Sequence, residues 1–209
     1  MKINQHIQTT PHFRMLSNDQ IERIYHATLD VLRHTGARFH NEEALKIFKD
    51  SGEVLVTDTN LVRFPPSLVH RALKSHPSKI DVTGRTGKHT IRLEKDVVNF
   101  GTGSDMPFAF DRDTGERRKA TYQDVSNAGI LVDYLENFDF FMSHGIVQDV
   151  PNPQTYDRHQ ALAMFEGCSK PLIITAVDRE GLDDQFKMAS FFRAEDELLI
   201  DPMFIVYLE

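Results

Sequence analysis

Four short apolar runs recur in the second half of this chain, and their spacing limits the fold more than any other feature. They are "VVNFGTG" from Val97, "NFDFFMSHG" from Asn137, "KPLIITAVD" from Lys170 and "PMFIVYLE" from Pro202. Successive runs begin roughly 30 to 40 residues apart, the length of a strand–helix unit. The intervals carry helical spacing. Val125, Ala128, Val132 and Leu135 follow the capping pair Thr121/Asp124. Ala161, Leu162 and Phe165 fall within Thr155–Glu166, and Phe186, Ala189 and Phe192 within Asp178–Arg193. Each run is apolar on both faces, as buried parallel strands are. The order β-α-β-α-β-α-β predicts a parallel α/β sheet. One segment interrupts it: "PFAFDRDTGERRKAT" reads as two short strands around the turn Asp113–Glu116. It stands where a βα loop belongs, so it is expected to cover the C-terminal end of the first strand like a lid.

The first half has another rhythm. Ser17 and Gln20 form a capping box ahead of Ile21, Ile24, Tyr25, Thr28 and Leu32, and Gly36 ends the run. Asn41–Lys49 reads as a second helix stopped at Gly52. Val54–Val56 and Leu61–Phe64 flank "TDTN" as a hairpin, and Pro65-Pro66 open a third helix near Leu68–Ser75. The division drawn from the sequence is a helical region with small hairpins over 1–95 and the α/β region over 96–209.

Charge and cysteine usage exclude several classes. The formal net charge of −7 comes without a long basic run, so nucleic acid is not an expected partner. The single cysteine, Cys168, rules out an internal disulfide and a cysteine zinc framework; it is read as a structural thiol at the amino end of the third run. No histidine pair has metal-ligand spacing, and no metal is expected. "MKINQHIQTTPHF" has no apolar core, and no run approaches the ~18 apolar residues of a membrane span. A cytoplasmic, soluble chain is the expectation.

In parallel α/β sheets ligands bind at the carboxyl ends of the strands. Those ends read Thr102-Gly-Ser-Asp105, Ser143-His144-Gly145, Thr175-Ala-Val-Asp178 and Glu209. Thr102, Ser104, Asp105, His144 and Glu209 are therefore the candidate binding residues, to which the resemblance described below adds Phe108, with no catalytic residue assigned. "GTGSDMPF" also admits a plain turn, and His144 a structural hydrogen bond. A phosphate cradle fits worse. The third glycine of a dinucleotide fingerprint is Met106, Pro107 follows, and no helix opens there. "GERRKAT" sets three cations in a row, Arg117–Lys119, whose default is a solvated hairpin strand.

Several segments together resemble the trimethylamine methyltransferase (MttB-like) superfamily: "LSNDQIERIYHATLDVLRHTGARF", "VRFPPSLVHRALKSHP", "GRTG", the stretch from "VNFGTGSD" to "LENFDF", "DVP" and "KPLI". The most specific is "DRDTGERRKATYQD", which is similar to the family block D-x-x-T-G-x-R-R-x-x-T-x-x-D. The resemblance implies a (β/α)8 barrel of TIM type, present here as the N-terminal region plus about half a barrel. Such a barrel needs about 250 residues, so the chain is read as a fragment or truncated frame. It implies methyl transfer from a methylated amine to the Co(I) of a separate corrinoid protein, with no cofactor on this chain. The partners are then that corrinoid protein and a small amine, with a homo-oligomer left open. "NFGTGSD" looks closer to the branch acting on quaternary amines such as glycine betaine than to the pyrrolysine-containing branch. Asp157-x-His159 agrees with a corrinoid held elsewhere. The cobalamin signature D-x-H-x-x-G has Leu162 in place of its glycine, and the segment reads as a surface helix. For a quaternary amine, Phe100, Phe108 and Phe141 would supply aromatic faces and Asp105 and Glu209 carboxylates. Thr102, Ser104, His144 or the hairpin arginines would serve a substrate carboxylate. The alternatives are a non-catalytic half-barrel and an unrelated α/β enzyme for a phosphorylated ligand.

Overall fold

The computed structural model describes residues 14–95 and 97–208. Contacts divide them into two compact units that meet between Ser78 and Lys79.

The first unit is built from local signals. Helix α1, Asn18–Asp30, starts at the Ser17 cap, where Ser17 and Gln20 bond each other's main chain in a capping box. A π turn over Val31–Thr35 carries it to Gly36. Strand β1 (Ala37–Arg38), α2 (Glu42–Ser51, capped by Asn41), β2 (Leu55–Val56), β3 (Leu61–Arg63) and α3 (Pro66–Ser75) follow. The strands form a small antiparallel sheet in the order β1-β3-β2. Phe39, Phe48 and Phe64 meet edge to face at 4.8, 5.5 and 6.2 Å between centroids, which sets this unit's core beside buried Leu29, Leu45 and Val62.

The second unit opens with a hairpin, β4 (Lys79–Thr83) and β5 (Thr90–Glu94). On sequence this stretch was grouped with the N-terminal region; its contacts are with the sheet. The Thr83 N–H donates to Pro202 O (2.9 Å), Arg193 Nη2 donates to Gly84 O (2.9 Å), and Gly84 lies against the main chain of Ser169 and Lys170. The hairpin therefore packs at the amino ends of the later strands. The hairpin around Asp113 comes next, β6 (Phe108–Phe110) and β7 (Arg117–Lys119), then α4 (Tyr122–Tyr134), β8 (Phe141–Met142), α5 (Tyr156–Gly167), β9 (Leu172–Ala176), α6 (Arg179–Ser190), a short α7 (Glu195–Ile200) and β10 (Phe204–Leu208).

Strands β8, β9 and β10 are parallel, with β9 central. Phe141, Leu172 and Ile174 are buried against the helices and form one core with Val132, Met164, Phe165 and Met203, whereas Ile173, between two of them, is only half-buried. Side chains alternate across a strand, so the face carrying Ile173 is the one turned from the helices. Helices α4 and α5 approach closely because Gly129 and Gly167 face each other; a Cβ on Gly167 would stand 2.6 Å from Ser126 O.

Two expectations need correction. The run from Val97 is not a regular strand. It joins β8 in parallel through single bridges at Gly101–Phe140 and Met106–Gly145. Between them the Thr102 hydroxyl replaces the main chain, donating to Met142 O (3.1 Å) and accepting from the Met142 N–H (3.0 Å). Helix α5 is not a surface helix. Asp157 is fully buried, as are Gln160, Ala163 and Met164, because α4, β9 and α6 all pack on it.

Gly101 explains why a glycine stands in the opening run. A Cβ there would sit 2.2 Å from the Phe140 ring, while one on Gly103 would meet nothing within 4 Å. Gly101→Ala should therefore cost about 1–3 kcal/mol by overpacking, and Gly103→Ala should stay within about 0.5 kcal/mol. Urea unfolding of both variants checks the contrast.

Candidate functional site

The carboxyl ends of the parallel runs bring together Asp105, Ser143, His144 and Thr175. Asp105 is half-buried and non-glycine, yet sits at φ +57°. Its N–H donates to Ser143 O (2.7 Å) and the Met106 N–H to His144 O (3.0 Å), so the chain continues the parallel pairing past the left-handed residue. The Ser143 hydroxyl donates to Asp105 Oδ1 (3.3 Å), and the Thr175 hydroxyl donates to Ser143 Oγ (3.0 Å). Ser143 and Thr175 are both buried. Behind them Gln185 Nε2 donates to Thr175 O (2.8 Å) and to Asp157 O (3.3 Å), and Asp157 Oδ2 accepts the Val177 N–H (3.2 Å). Gln160 Nε2 holds Gly145 O (2.6 Å). The mouth is thus braced from beneath by two helices.

The other candidates are placed unevenly. Thr102 has its hydroxyl committed to Met142, as described. Ser104 is exposed. Phe108 gives one ring face to Arg117, whose guanidinium carbon lies 3.6 Å from the ring centroid. Phe141 is wholly buried in the core and walls no pocket, whereas Phe100 is exposed. Glu209 lies outside the described residues. His144 is partly buried. Its Nδ1 is enclosed without a hydrogen-bond partner among the described residues, and burial lowers its pKa. A buried neutral imidazole must become charged as the pH falls, while the unfolded chain protonates freely near pH 6.5. Stability should therefore fall below about pH 6.5, by at most ~1.4 kcal/mol per pH unit from this residue. His144→Gln should flatten that part of the curve, as read by urea midpoints between pH 5 and 8.

One arginine of the hairpin, Arg118, is engaged by two carboxylates. Arg118 forks onto Asp124 (2.6 and 2.9 Å) and also reaches Asp111 (3.5 Å). That fork holds the Asp124 carboxyl well below the usual carboxylate range. Asp124 is at the same time the third helical residue of the α4 capping box with Thr121. Asp111 Oδ1 accepts from Asp113, Thr114 and the Thr114 hydroxyl, which turns the hairpin, and Gly115 takes φ +71°. The hairpin strand is largely exposed, as expected, but Arg118 is paired: it ties the hairpin to α4. Cys168, with its thiol pushed up to about 12 by burial, is inert at the amino end of β9. Among the described residues no group of three or more His, Cys, Asp or Glu is placed to hold a metal ion, and no helix is long and apolar enough to cross a membrane.

A family model described as trimethylamine methyltransferase (MTTB) matches residues 1–207. The chain belongs to that family. Similar members include trimethylamine methyltransferase MttB of Desulfitobacterium hafniense (strain DSM 10664 / DCB-2), 31% identical over 90% of this chain and 38% of the relative. Trimethylamine methyltransferase MttB1 of Methanosarcina acetivorans is 30% identical over 75% of this chain and 32% of the relative. Glycine betaine methyltransferase of Desulfitobacterium hafniense (strain Y51) is 26% identical over 95% and 41%. The chain spans between 32% and 41% of the length of these relatives. Within this methyltransferase family member, the D-x-x-T-G-x-R-R-x-x-T-x-x-D block has an architectural explanation. Asp111, Thr114, Gly115, Arg118, Thr121 and Asp124 each fix the hairpin or the start of α4. The residues that sequence reasoning missed are Ser143, Thr175 and Gln185. Ser143 and Thr175 were visible as polar residues at the run ends, but which hydroxyl meets which depends on the strand register; Gln185 lies inside α6 and carried no such signal.

Proposed function

We propose that this chain belongs to a methyltransferase that removes a methyl group from a methylated amine, of the quaternary type represented by glycine betaine, and delivers it to a partner corrinoid protein. The four parallel runs are read as consecutive strands of a (β/α)8 barrel. The observation that carries the site is Asp105: a carboxylate kept at a left-handed backbone position on the strand mouths, fixed through one oxygen by Ser143. Strain of this kind, roughly 1–3 kcal/mol, persists where a side chain's placement has a use.

The partner's Co(I) supplies the nucleophile that accepts the methyl group. What this chain's residues supply is binding and orientation. A quaternary ammonium cannot donate a hydrogen bond, so it is recognised by charge and by apolar surface. Asp105 faces the cationic nitrogen, and the half-buried Met142 and Ile173 offer apolar contact. When the N–C bond breaks, its electron pair stays on nitrogen and a neutral tertiary amine leaves, so no proton has to move. The work is positioning and the exclusion of water. For a substrate carboxylate, Ser104 and His144 remain as donors, since Thr102 and Arg118 are engaged. The chain's own corrinoid-like motif does not fit a corrinoid: Asp157 is buried inside α5 and bonded to Val177, and a carrier in the partner is consistent with that.

The opening run does not favour a phosphorylated ligand. Gly101 is filled by Phe140, and the next helix begins only at Tyr122, behind a hairpin, with its cap already made by Thr121 and Asp124. The test is incubation of the chain with glycine betaine or trimethylamine and a reduced corrinoid protein, with the demethylated amine measured by chromatography. Dimethylglycine from glycine betaine is the expected product. No demethylated product from any quaternary amine would sink the proposal.

A further inference from the structure

We infer that Ser143 and Thr175 act in series as positioning residues for Asp105, so that the direction of the substrate-facing carboxylate is set by two buried hydroxyls on neighbouring strands. The inference rests on the cation-facing reading of Asp105. The two hydroxyls form an ordered donor chain. A carboxylate only accepts, so Ser143 must donate its single proton to Asp105 Oδ1. The Ser143 oxygen is then free to accept, and it takes the Thr175 proton. Thr175 is itself fixed, because it lies within β9 and Gln185 anchors its carbonyl. The relay thus passes position from a helix-backed strand to the strand end and then to the irregular first run, which pairs only through isolated bridges, the Thr102 hydroxyl and single main-chain bonds such as Asp105 N–H to Ser143 O. Asp105 Oδ2 has no hydrogen-bond partner among the described residues and is the oxygen left for a ligand. Both hydroxyls are fully buried, where an unpaired hydroxyl is costly, and two valine-like side chains would fill the same space without that risk.

A series relay makes a specific prediction. Removing the second link should matter only while the first is present, so the two losses should not add. The probe is tetramethylammonium chloride, titrated calorimetrically into the 209-residue chain. Ser143→Ala should weaken binding roughly tenfold and Thr175→Val roughly threefold, since a carboxylate turned by a fraction of an ångström loses much of its directed contact. Thr175→Ser, which keeps the hydroxyl, should bind within about twofold of wild type. The double variant Ser143→Ala/Thr175→Val should bind no worse than Ser143→Ala alone. Additive losses, or a Thr175→Ser variant as weak as Thr175→Val, would overturn the relay in favour of a general packing role. If wild type takes up no tetramethylammonium, the cation-facing reading fails. The relay is then judged by the Asp105 carboxyl carbon resonance, which should move in Thr175→Val and not in Thr175→Ser. An unchanged resonance overturns it.

Discussion

Lys170→Met should destabilise the second unit by about 2–4 kcal/mol, the cost of main-chain acceptors losing their buried donor. Lys170 is 2% exposed, and its ammonium donates three hydrogen bonds, to Val132 O (2.9 Å), Leu135 O (2.6 Å) and Phe138 O (2.7 Å). These carbonyls lie at and just beyond the C-terminal end of α4, where the helix dipole leaves partial negative charge and main-chain donors are few; Leu135 O accepts one, the Phe138 N–H (3.3 Å). One side chain from the amino end of β9 thus caps the helix. Burial pushes the ammonium below the usual lysine range, so desolvation works against the three bonds. Methionine keeps the stem volume and removes all three bonds; Leu135 O keeps only the Phe138 N–H (3.3 Å), and an acceptor left stranded costs roughly 1–3 kcal/mol. At 2–4 °C per kcal/mol for a chain of this size, the thermal midpoint should drop by about 10 °C. A loss below 1 kcal/mol in urea unfolding would mean that water reaches these carbonyls.

Asp105→Asn should leave the fold intact and raise KM for a quaternary ammonium substrate by roughly 30- to 100-fold, with kcat changed by less than threefold. Asparagine tolerates the left-handed backbone and keeps the acceptor that Ser143 uses, so stability should shift by no more than about 0.5 kcal/mol. What is lost is the charge. A carboxylate near a cation at the protein surface is worth a few kcal/mol, which covers the ~2.7 kcal/mol of a hundredfold loss. The positive charge on nitrogen fades as the methyl group leaves, so the carboxylate holds the ground state at least as strongly as the transition state. The loss must therefore fall on KM and not on kcat. Steady-state kinetics with glycine betaine settle the split, and a fall in kcat with KM unchanged would remove Asp105 from the cation's side.

The parts of the fold that were legible in the sequence are those set by neighbours along the chain. Ser17/Gln20 and Thr121/Asp124 cap their helices as their spacing says, and the apolar runs at Phe141, Leu172 and Phe204 are strands, as their continuous apolar signature predicts. Distant partners decided the rest. The hairpin β4–β5 goes with the sheet because Gly84 meets Ser169 and Thr83 meets Pro202, contacts that no local pattern announces. Asp157 and Gln160 read as the polar face of a surface helix, and they are instead the buried polar struts of the mouth. The outline of the candidate site was legible to the extent that polar residues gather at run ends. Its working detail, the order Thr175–Ser143–Asp105, exists only once two strands are in register. Phe141 was misplaced for the same reason, since alternation puts it on the helix side.

The Asp111–Asp124 segment has a kinetic consequence. Its turn, its arginine fork and its helix cap all close within a few residues of each other, whereas every parallel pairing of the sheet must first close a loop with a helix inside it. Short closures come in well under a microsecond and long ones are the slow, entropically opposed steps. The segment should therefore form early and persist while the strands are still finding their order. Substitutions at Arg118 should slow folding, and substitutions at the Gly101 bridge should chiefly hasten unfolding.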